Sequence, residues 1–213
     1  MTFWCTEKQY NLILEVLPLM AKFYRNDILP LFQYIAKEYD LMYEAAEKAN
    51  NIVSGIHITA ANPVKAMDID CLLSTWEQDY IPVQEAPFHF QIALNDRQRK
   101  LLAKTLDVFS RIVMGQLFIL FETLDLPENI QDNEHAIQTY HDVYWDGKCG
   151  AKEARDLLFP DIRHFGWYGG YGISNPKVAE SSRLAYQLTR VLNAGAGYIL
   201  PVTDEPLAKI CTT

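Results

Sequence analysis

Several common sequence features are missing from this chain. Its 213 residues include four cysteines, and none of them forms a C-x-x-C pair, so a zinc site or redox motif has no local support. Isolated thiols of this kind are typical of reduced cytosolic proteins. No apolar run approaches the length of a membrane span, and the N-terminal stretch lacks the basic start of a signal peptide. We therefore expect a cytoplasmic protein without a membrane partner.

Positive charge is also scarce. The chain has 19 lysines and arginines against 27 aspartates and glutamates, which gives a net charge of −8. A surface that binds duplex nucleic acid needs clustered basic residues. The basic residues that cluster here are Arg97, Arg99, Lys100 and Lys104, early in one predicted helix. A solvated helix face is the more typical interpretation, so nucleic acid is not expected to be the main partner.

Recognisable catalytic and cofactor motifs are absent as well. The sequence has no G-x-S-x-G elbow and neither of the glycine-rich nucleotide fingerprints. His135 and His141 are six residues apart and do not share a helix face. Asp142 and Asp146 could hold a cation, but a solvated face is favoured. We predict no catalytic residue, no metal and no cofactor, although an enzyme that uses His164 or His135 as a base stays open.

Apolar residues recur mostly at helical spacing, so the predicted fold is mainly α with a small β element. The longest predicted helix covers about residues 95–124 and follows a capping box of Asn95 and Gln98. It is apolar on two sides, as expected for the central helix of a bundle. The β element is the stretch 88–94, where apolar residues alternate with period two.

Turn and cap residues predict further boundaries. A capping box at Thr6 opens a helix that Pro18 should kink or end. One amphipathic helix is predicted from about Pro30 past Ala46. A turn is predicted at residues 146–150, between two shorter helices, because it contains two glycines. The last helix is predicted from about Ser181 to Asn193.

The stretch 80–87 contains two prolines and is typical of a connector. It divides the chain into an N-terminal helical region, 1–82, and a second helical domain, 83–213. The second domain would begin with one strand and end in an extended tail. The sequence leaves open whether the two regions form one fused globular unit.

Polar residues interrupt the predicted central helix near its end. Arg111 and Gly115 are four residues apart and share a face, and Gln116 follows directly. The structural explanation is that another segment packs on Gly115 while Asp107 pairs with Arg111. The functional explanation is a pocket in which Arg111 and Gln116 bind an anion, because an arginine fork suits phosphate or carboxylate.

A loop rich in glycine and aromatic residues covers positions 163–176, RHFGWYGGYGISNP. Its rings either close the core or form one wall of a site, where they would stack on a planar ligand. With the central helix, this loop gives the following candidate ligand-binding residues: Arg111, Gln116, His164, Trp167, Tyr168 and Tyr171.

Four motifs of the chain resemble a group of uncharacterised proteins associated with bacteriophages, prophages and their hosts. They are an LDxxSRIxMGQ-like core at 106–116, LLFP at 157–160, YGI-N-P at 171–176, and AYxLxxV at 185–191. The likeness covers about residues 88–210. The group's last helix often ends in Ile-Arg-His, whereas this chain has Val191, Leu192 and Asn193. The distinctive positions coincide with both candidate segments, which favours one pocket shared between them.

Together with the arginine and the aromatic residues of the two candidate segments, the resemblance leads us to expect a non-enzymatic accessory or counter-defence protein of phage type, in the host cell cytoplasm. Such a protein would bind a small anionic, nucleotide-like ligand and sequester it. An alternative is an inhibitor that binds a host protein through an acidic, aromatic surface. The identity of the ligand or partner stays open, as does formation of a homo-oligomer.

Overall fold

A computed structural model describes residues 1–55, 62–78, 80–122, 134–162, 171–193 and 201–211. The fold is mainly helical with a small antiparallel sheet, as the sequence predicts. In chain order the elements are β1 Thr2–Cys5, α1 Glu7–Phe23, α2 Leu29–Glu38, α3 Tyr43–Gly55, α4 Pro63–Gln78, β2 Tyr80–Glu85, β3 Phe88–Ala93, α5 Asp96–Val113, α6 Ile119–Glu122, α7 Glu134–Leu158, α8 Glu180–Asn193 and β4 Lys209–Cys211.

The four strands form one antiparallel sheet in the order β2-β3-β1-β4. The predicted strand at 88–94 is confirmed as β3. On β1, Phe3 lies opposite Ile92 of β3 and Ile210 of β4. Phe3 and Ile92 are fully buried, so one face of the sheet covers the helices. The C-terminal segment thereby reaches the N-terminal strand.

The predicted connector at 80–87 is instead largely strand β2, paired with β3. The predicted boundary between 82 and 83 therefore falls inside a strand. Buried residues from both sides of that boundary belong to one core cluster, for example Trp76 and Leu106. The division into two regions stays a prediction.

Helix α1 begins as predicted and ends later than predicted. Thr6 accepts a hydrogen bond from the Gln9 backbone at 3.3 Å, and the Gln9 side chain accepts one from the Thr6 backbone at 3.0 Å. Pro18 was expected to kink or end the helix, and the expectation that it ends the helix is wrong, because α1 continues to Phe23. Buried side chains lie on both sides of the proline, including Leu17 and Met20. Their packing outweighs the hydrogen bond that proline removes.

The single helix predicted from Pro30 past Ala46 is wrong, because two helices replace it. Helix α2 ends at Glu38, and Asp40 has a φ of 53°. The Leu41 amide then bonds to the Ala36 carbonyl at 2.8 Å and closes the end of the helix. Aspartate tolerates this left-handed conformation better than most residues. Because Asp40 also fits the polar face of the amphipathic pattern, the sequence does not reveal that the helix ends there.

The turn predicted at 146–150 is also wrong, because α7 runs through it without interruption. Ala151, Ala154 and Leu158 follow on its buried side, and this packing offsets the low helix propensity of glycine. Near its end, burial alone would raise the pKa of Asp156, but hydrogen bonds from Lys152 and Arg155 hold that pKa below its ordinary value.

Helix α5 is shorter than the predicted helix over 95–124. Its capping box is confirmed, since the Gln98 amide donates to the Asn95 side chain at 2.9 Å. The helix ends at Val113, and Gly115 follows with a φ of 91°. The Gly115 amide donates to the Ile112 carbonyl at 3.0 Å, and the next amide donates to Arg111 at 2.9 Å. Gly115 therefore closes the helix in a Schellman motif and is not an interior residue.

Helices α5 and α8 pack side by side and run antiparallel, and the predicted last helix is confirmed as α8. The direction follows from three contacts along the seam. Ser110 bonds to Ser182, the Thr189 hydroxyl donates to the Ala103 carbonyl at 3.3 Å, and the Arg99 side chain donates to the Leu192 carbonyl. Residue numbers thus rise on α5 as they fall on α8.

Two properties of composition can be checked in the described part of the chain. The four cysteines are free thiols, as expected, and Cys5 is buried. Among the helical residues that the structure describes, no helix is both long enough and apolar enough to cross a membrane.

Candidate functional site

The first predicted site residue, Arg111, lies in the last turn of α5 and is partly exposed. Its Nε donates to Asp107 at 3.3 Å, which is the pairing expected from their spacing. A segment also packs beside Gly115, because the Tyr171 amide donates to the Met114 carbonyl at 3.0 Å. The structural explanation of this region therefore holds, and it leaves the guanidinium accessible.

Of the other predicted site residues, the structure describes Tyr171 and Gln116. The Tyr171 ring is buried between Tyr39 and Phe159, with both ring centroids 6.3 Å away. Burial raises the pKa of its hydroxyl, and the ring is committed to packing. Gln116 is half-buried; its backbone amide donates to the Arg111 carbonyl at 2.9 Å, and its carbonyl accepts from the Ile119 amide at 3.2 Å. His164, Trp167 and Tyr168 lie outside the described residues.

The guanidinium of Arg111 belongs to a groove between α5 and α8, with a volume of about 620 Å³. Pockets of this size bind nucleotide-sized molecules. We call it the basic groove. It is lined by Lys100, Lys104, Asp107, Arg111, Tyr186, Thr189, Arg190 and Asn193.

Positive charge dominates the basic groove, although the whole chain carries −8. Four of its residues are cations, and Asp107 is the one carboxylate in the lining. Lys100 has a partner outside the groove, since its Nζ lies 2.6 Å from Asp96. Lys104 and Arg190 make no ion pair with any residue that the structure describes. Two of the four cations of the groove therefore have no carboxylate partner in the part of the chain that the structure describes.

The antiparallel seam fixes the order of these residues along the groove. Thr189 meets Ala103, so Arg190 lies within about one turn of Lys104 across the groove. By the same register, Asn193 lies at the end that contains Lys100. Tyr186 falls opposite the turn that contains Asp107, and Arg111 marks the other end.

The chemistry of this arrangement suits phosphate esters. Lysine ammonium groups attract phosphate as point charges, and arginine binds it through paired N–H donors. Asp107 bonds to Nε of Arg111, and no residue that the structure describes bonds to the two terminal amino groups of that guanidinium, so they can face a ligand. The half-buried Tyr186 offers a ring on which a base can stack. The Thr189 hydroxyl is already bonded across the seam.

Sequence reasoning placed Lys100 and Lys104 on a solvated helix face and did not select Tyr186 or Arg190. On α5 the signal was present, because positions 100, 104, 107 and 111 follow one face at helical spacing. These residues line a groove only because the polar face of α8, 70 residues or more further along the chain, packs beside them. No local pattern reports that these two faces meet.

A second cavity, of about 780 Å³, has the opposite charge. We call it the acidic cleft. It lies where the start of α1 meets the start of α8, and Lys8 pairs there with Glu180 at 2.7 Å. Apolar side chains such as Leu12 and Leu184 form part of its wall. Its acidic residues are Glu7, Glu15, Glu38, Glu180 and Glu205.

Comparisons with known proteins add no assignment: no protein-family model, curated protein or solved structure matches this chain. The resemblance to the phage group therefore stays a prediction. Within the described ranges, no group of three or more histidine, cysteine, aspartate or glutamate side chains is arranged to hold a metal ion.

Proposed function

We propose that this protein binds a small, nucleotide-like anion in the basic groove. In this proposal it is a non-enzymatic accessory protein of phage type that sequesters a nucleotide signal in host defence. The observation that carries the proposal is the pair Lys104 and Arg190, which share the groove without ion-pair partners among the described residues. Arg111, selected from the sequence as an anion-binding residue, lines the same groove.

Electrostatics favours an anion here over solvent alone. Cations that lie together in a concave site repel one another and raise the local concentration of anions. Elsewhere on this acidic protein, exposed basic residues commonly have a carboxylate within reach, such as Arg97 with Asp68 and Lys177 with Asp161. Tyr186 adds a preference for a ligand that carries an aromatic ring.

Calorimetric titration with ATP at low ionic strength tests the site. We expect ATP to bind the unmodified protein and to bind the Lys104→Ala/Arg190→Ala variant at least tenfold more weakly. A matched control is Lys22→Ala/Lys37→Ala, which removes the same charge beside a different cavity, between α1 and α2. Equal losses in the two variants would mean that net charge, and not the groove, determines ATP binding.

A second measurement addresses the role in defence. Small molecules released by heat from the purified protein are identified by mass spectrometry, from cells with and without an active phage-defence signal. A stoichiometric nucleotide that is lost in the Lys104→Ala/Arg190→Ala variant supports sequestration. A protein that carries nothing from either cell type contradicts it.

The acidic cleft supports a second candidate, an inhibitor that docks on a basic segment of a host protein. Glu7 and Glu15 are exposed there and make no ion pair with a described residue. A fluorescent lysine- and arginine-rich peptide should bind less tightly to Glu7→Gln/Glu15→Gln than to the control Glu47→Gln/Glu153→Gln. Equal binding by both variants would argue against docking in this cleft.

A further inference from the structure

We propose that the ligand of the basic groove is a short linked oligonucleotide, whose phosphates are separated by nucleoside units. A nucleoside triphosphate, whose phosphates are directly joined, is expected to bind the groove less tightly. The inference rests on the proposed function of the groove and specifies the chemistry of the ligand.

The first argument is the spread of the cations. Lys100 and Arg111 are 11 residues apart on α5, which is about 16 Å along the helix axis at 1.5 Å per residue. Lys104 and Arg190 lie between them. The phosphates of a triphosphate are joined through single bridging oxygens, so their charges occupy a much shorter stretch. Phosphates separated by sugars can reach both ends of the groove.

The second argument is the carboxylate inside the groove. Asp107 lies between Lys104 and Arg111 on the same helix face, so one negative charge interrupts the row of cations. A continuous triphosphate bound across both cations would lie against this carboxylate and be repelled. A nucleoside at the same point is accepted, because a carboxylate accepts hydrogen bonds from sugar hydroxyls or base N–H groups.

The third argument is the ring that faces this point. Tyr186 lies on α8 opposite the turn of α5 that carries Asp107, as the seam contacts at Ser110 and Thr189 require. Base stacking on an aromatic side chain is tolerant of sequence. The middle of the groove therefore suits a nucleoside, with phosphate sites on either side of it.

The size of the groove limits the ligand to a few nucleotides. Its volume of about 620 Å³ lies within the range of small-molecule sites. The chain as a whole carries −8, so a long duplex that extended past the groove would meet net repulsion.

The test compares two probes that each carry three phosphates: ATP and a uridine trinucleotide with a 5′-phosphate. Both are titrated at one ionic strength, and the trinucleotide is then titrated over a salt series. We expect the trinucleotide to bind at least tenfold more tightly than ATP. The slope of log K against log salt should be about −2, at roughly −0.7 for each of three phosphate contacts on a single strand.

Variants separate the ends of the groove from its middle. Lys100→Ala/Arg111→Ala should weaken trinucleotide binding at least tenfold and ATP binding less than threefold, because joined phosphates cannot reach both ends. The Lys22→Ala/Lys37→Ala variant is the control for net charge. Asp107→Asn removes the internal carboxylate charge and should raise ATP affinity more than trinucleotide affinity.

The outcomes distinguish this inference from the proposed function. Binding of ATP as tight as that of the trinucleotide would overturn the inference and leave the anion site intact. Binding of neither probe would overturn both. A trinucleotide that binds tightly but is insensitive to Lys100→Ala/Arg111→Ala would overturn the placement of its phosphates along α5.

Discussion

The seam between α5 and α8 contains a reciprocal pair of serines whose removal has a calculable cost. The Ser110 hydroxyl donates to the Ser182 carbonyl at 2.9 Å, and the Ser182 hydroxyl donates to the Ser110 carbonyl at 2.9 Å. Both side chains are fully buried. The perturbation is to replace each serine by alanine, singly and together, and to measure the free energy of unfolding.

Each substitution removes one hydrogen bond and should lower the free energy of unfolding by about 1 kcal/mol. The two hydroxyl oxygens are 3.3 Å apart, but each has one proton and donates it to a carbonyl. Neither hydroxyl therefore depends on the other. Ser110→Ala/Ser182→Ala should cost about 2 kcal/mol, with a coupling energy below about 0.5 kcal/mol.

Urea denaturation followed by far-ultraviolet circular dichroism measures all four proteins. Ser74→Ala, at an exposed serine of α4, is the control for the difference in helix propensity. A coupling energy above about 1 kcal/mol would refute the reasoning, because the hydroxyls would then be bonded to each other. A double variant as stable as the unmodified protein would show that neither hydrogen bond adds net stability.

Three further predictions concern single residues and use the same denaturation assay. Gly115→Ala should cost about 1–2 kcal/mol, because Gly115 has a φ of 91°. Gly172→Ala should cost little, because a Cβ added there meets no atom within 4 Å; equal effects would contradict the strain argument. Thr6→Ala should cost about 1–2 kcal/mol through loss of the helix cap, and a loss below about 0.5 kcal/mol would argue against the capping box. Asp156→Asn should lower the free energy of unfolding by about 1–3 kcal/mol at pH 7. Because the folded pKa of Asp156 is lowered, this stability is present above the unfolded pKa of about 4 and is lost as the pH falls through the folded pKa. A cost of the substitution that persists in strong acid would contradict this argument.

Local signals were sufficient where a single segment determines its own structure. The capping boxes at Thr6 and Asn95 are confirmed because each needs two side chains three residues apart. The strand at 88–94 is confirmed because its period of two differs clearly from the helical period. The fold class follows from these signals together.

The errors occurred where packing overrides a local preference. A helix continues through Pro18 because buried side chains lie on both sides of it. Another continues through the glycines of 146–150, which Ala151 and Ala154 follow on its buried side. The break at Asp40 was missed for the opposite reason, since its left-handed conformation interrupts a helix whose apolar pattern continues. Gly115 was recognised as unusual, but its role as a helix end depends on backbone conformation.

The basic groove exists because small residues form the seam beneath it. Ser110 meets Ser182 across the two helices, and Ala103 meets Thr189; small side chains allow this close approach. Longer side chains at the margins of the seam, such as Lys104 and Arg190, then extend over the groove. Lys100 and Arg111 pair with carboxylates of α5 at i,i+4 spacing. Neither Lys104 nor Arg190 has a carboxylate four residues away in the sequence, and the packing of the two helices brings their charges together. The proposed polyanion would neutralise this pair, and by linkage it should stabilise the folded chain by RT ln(1 + L/Kd), where L is the free ligand concentration.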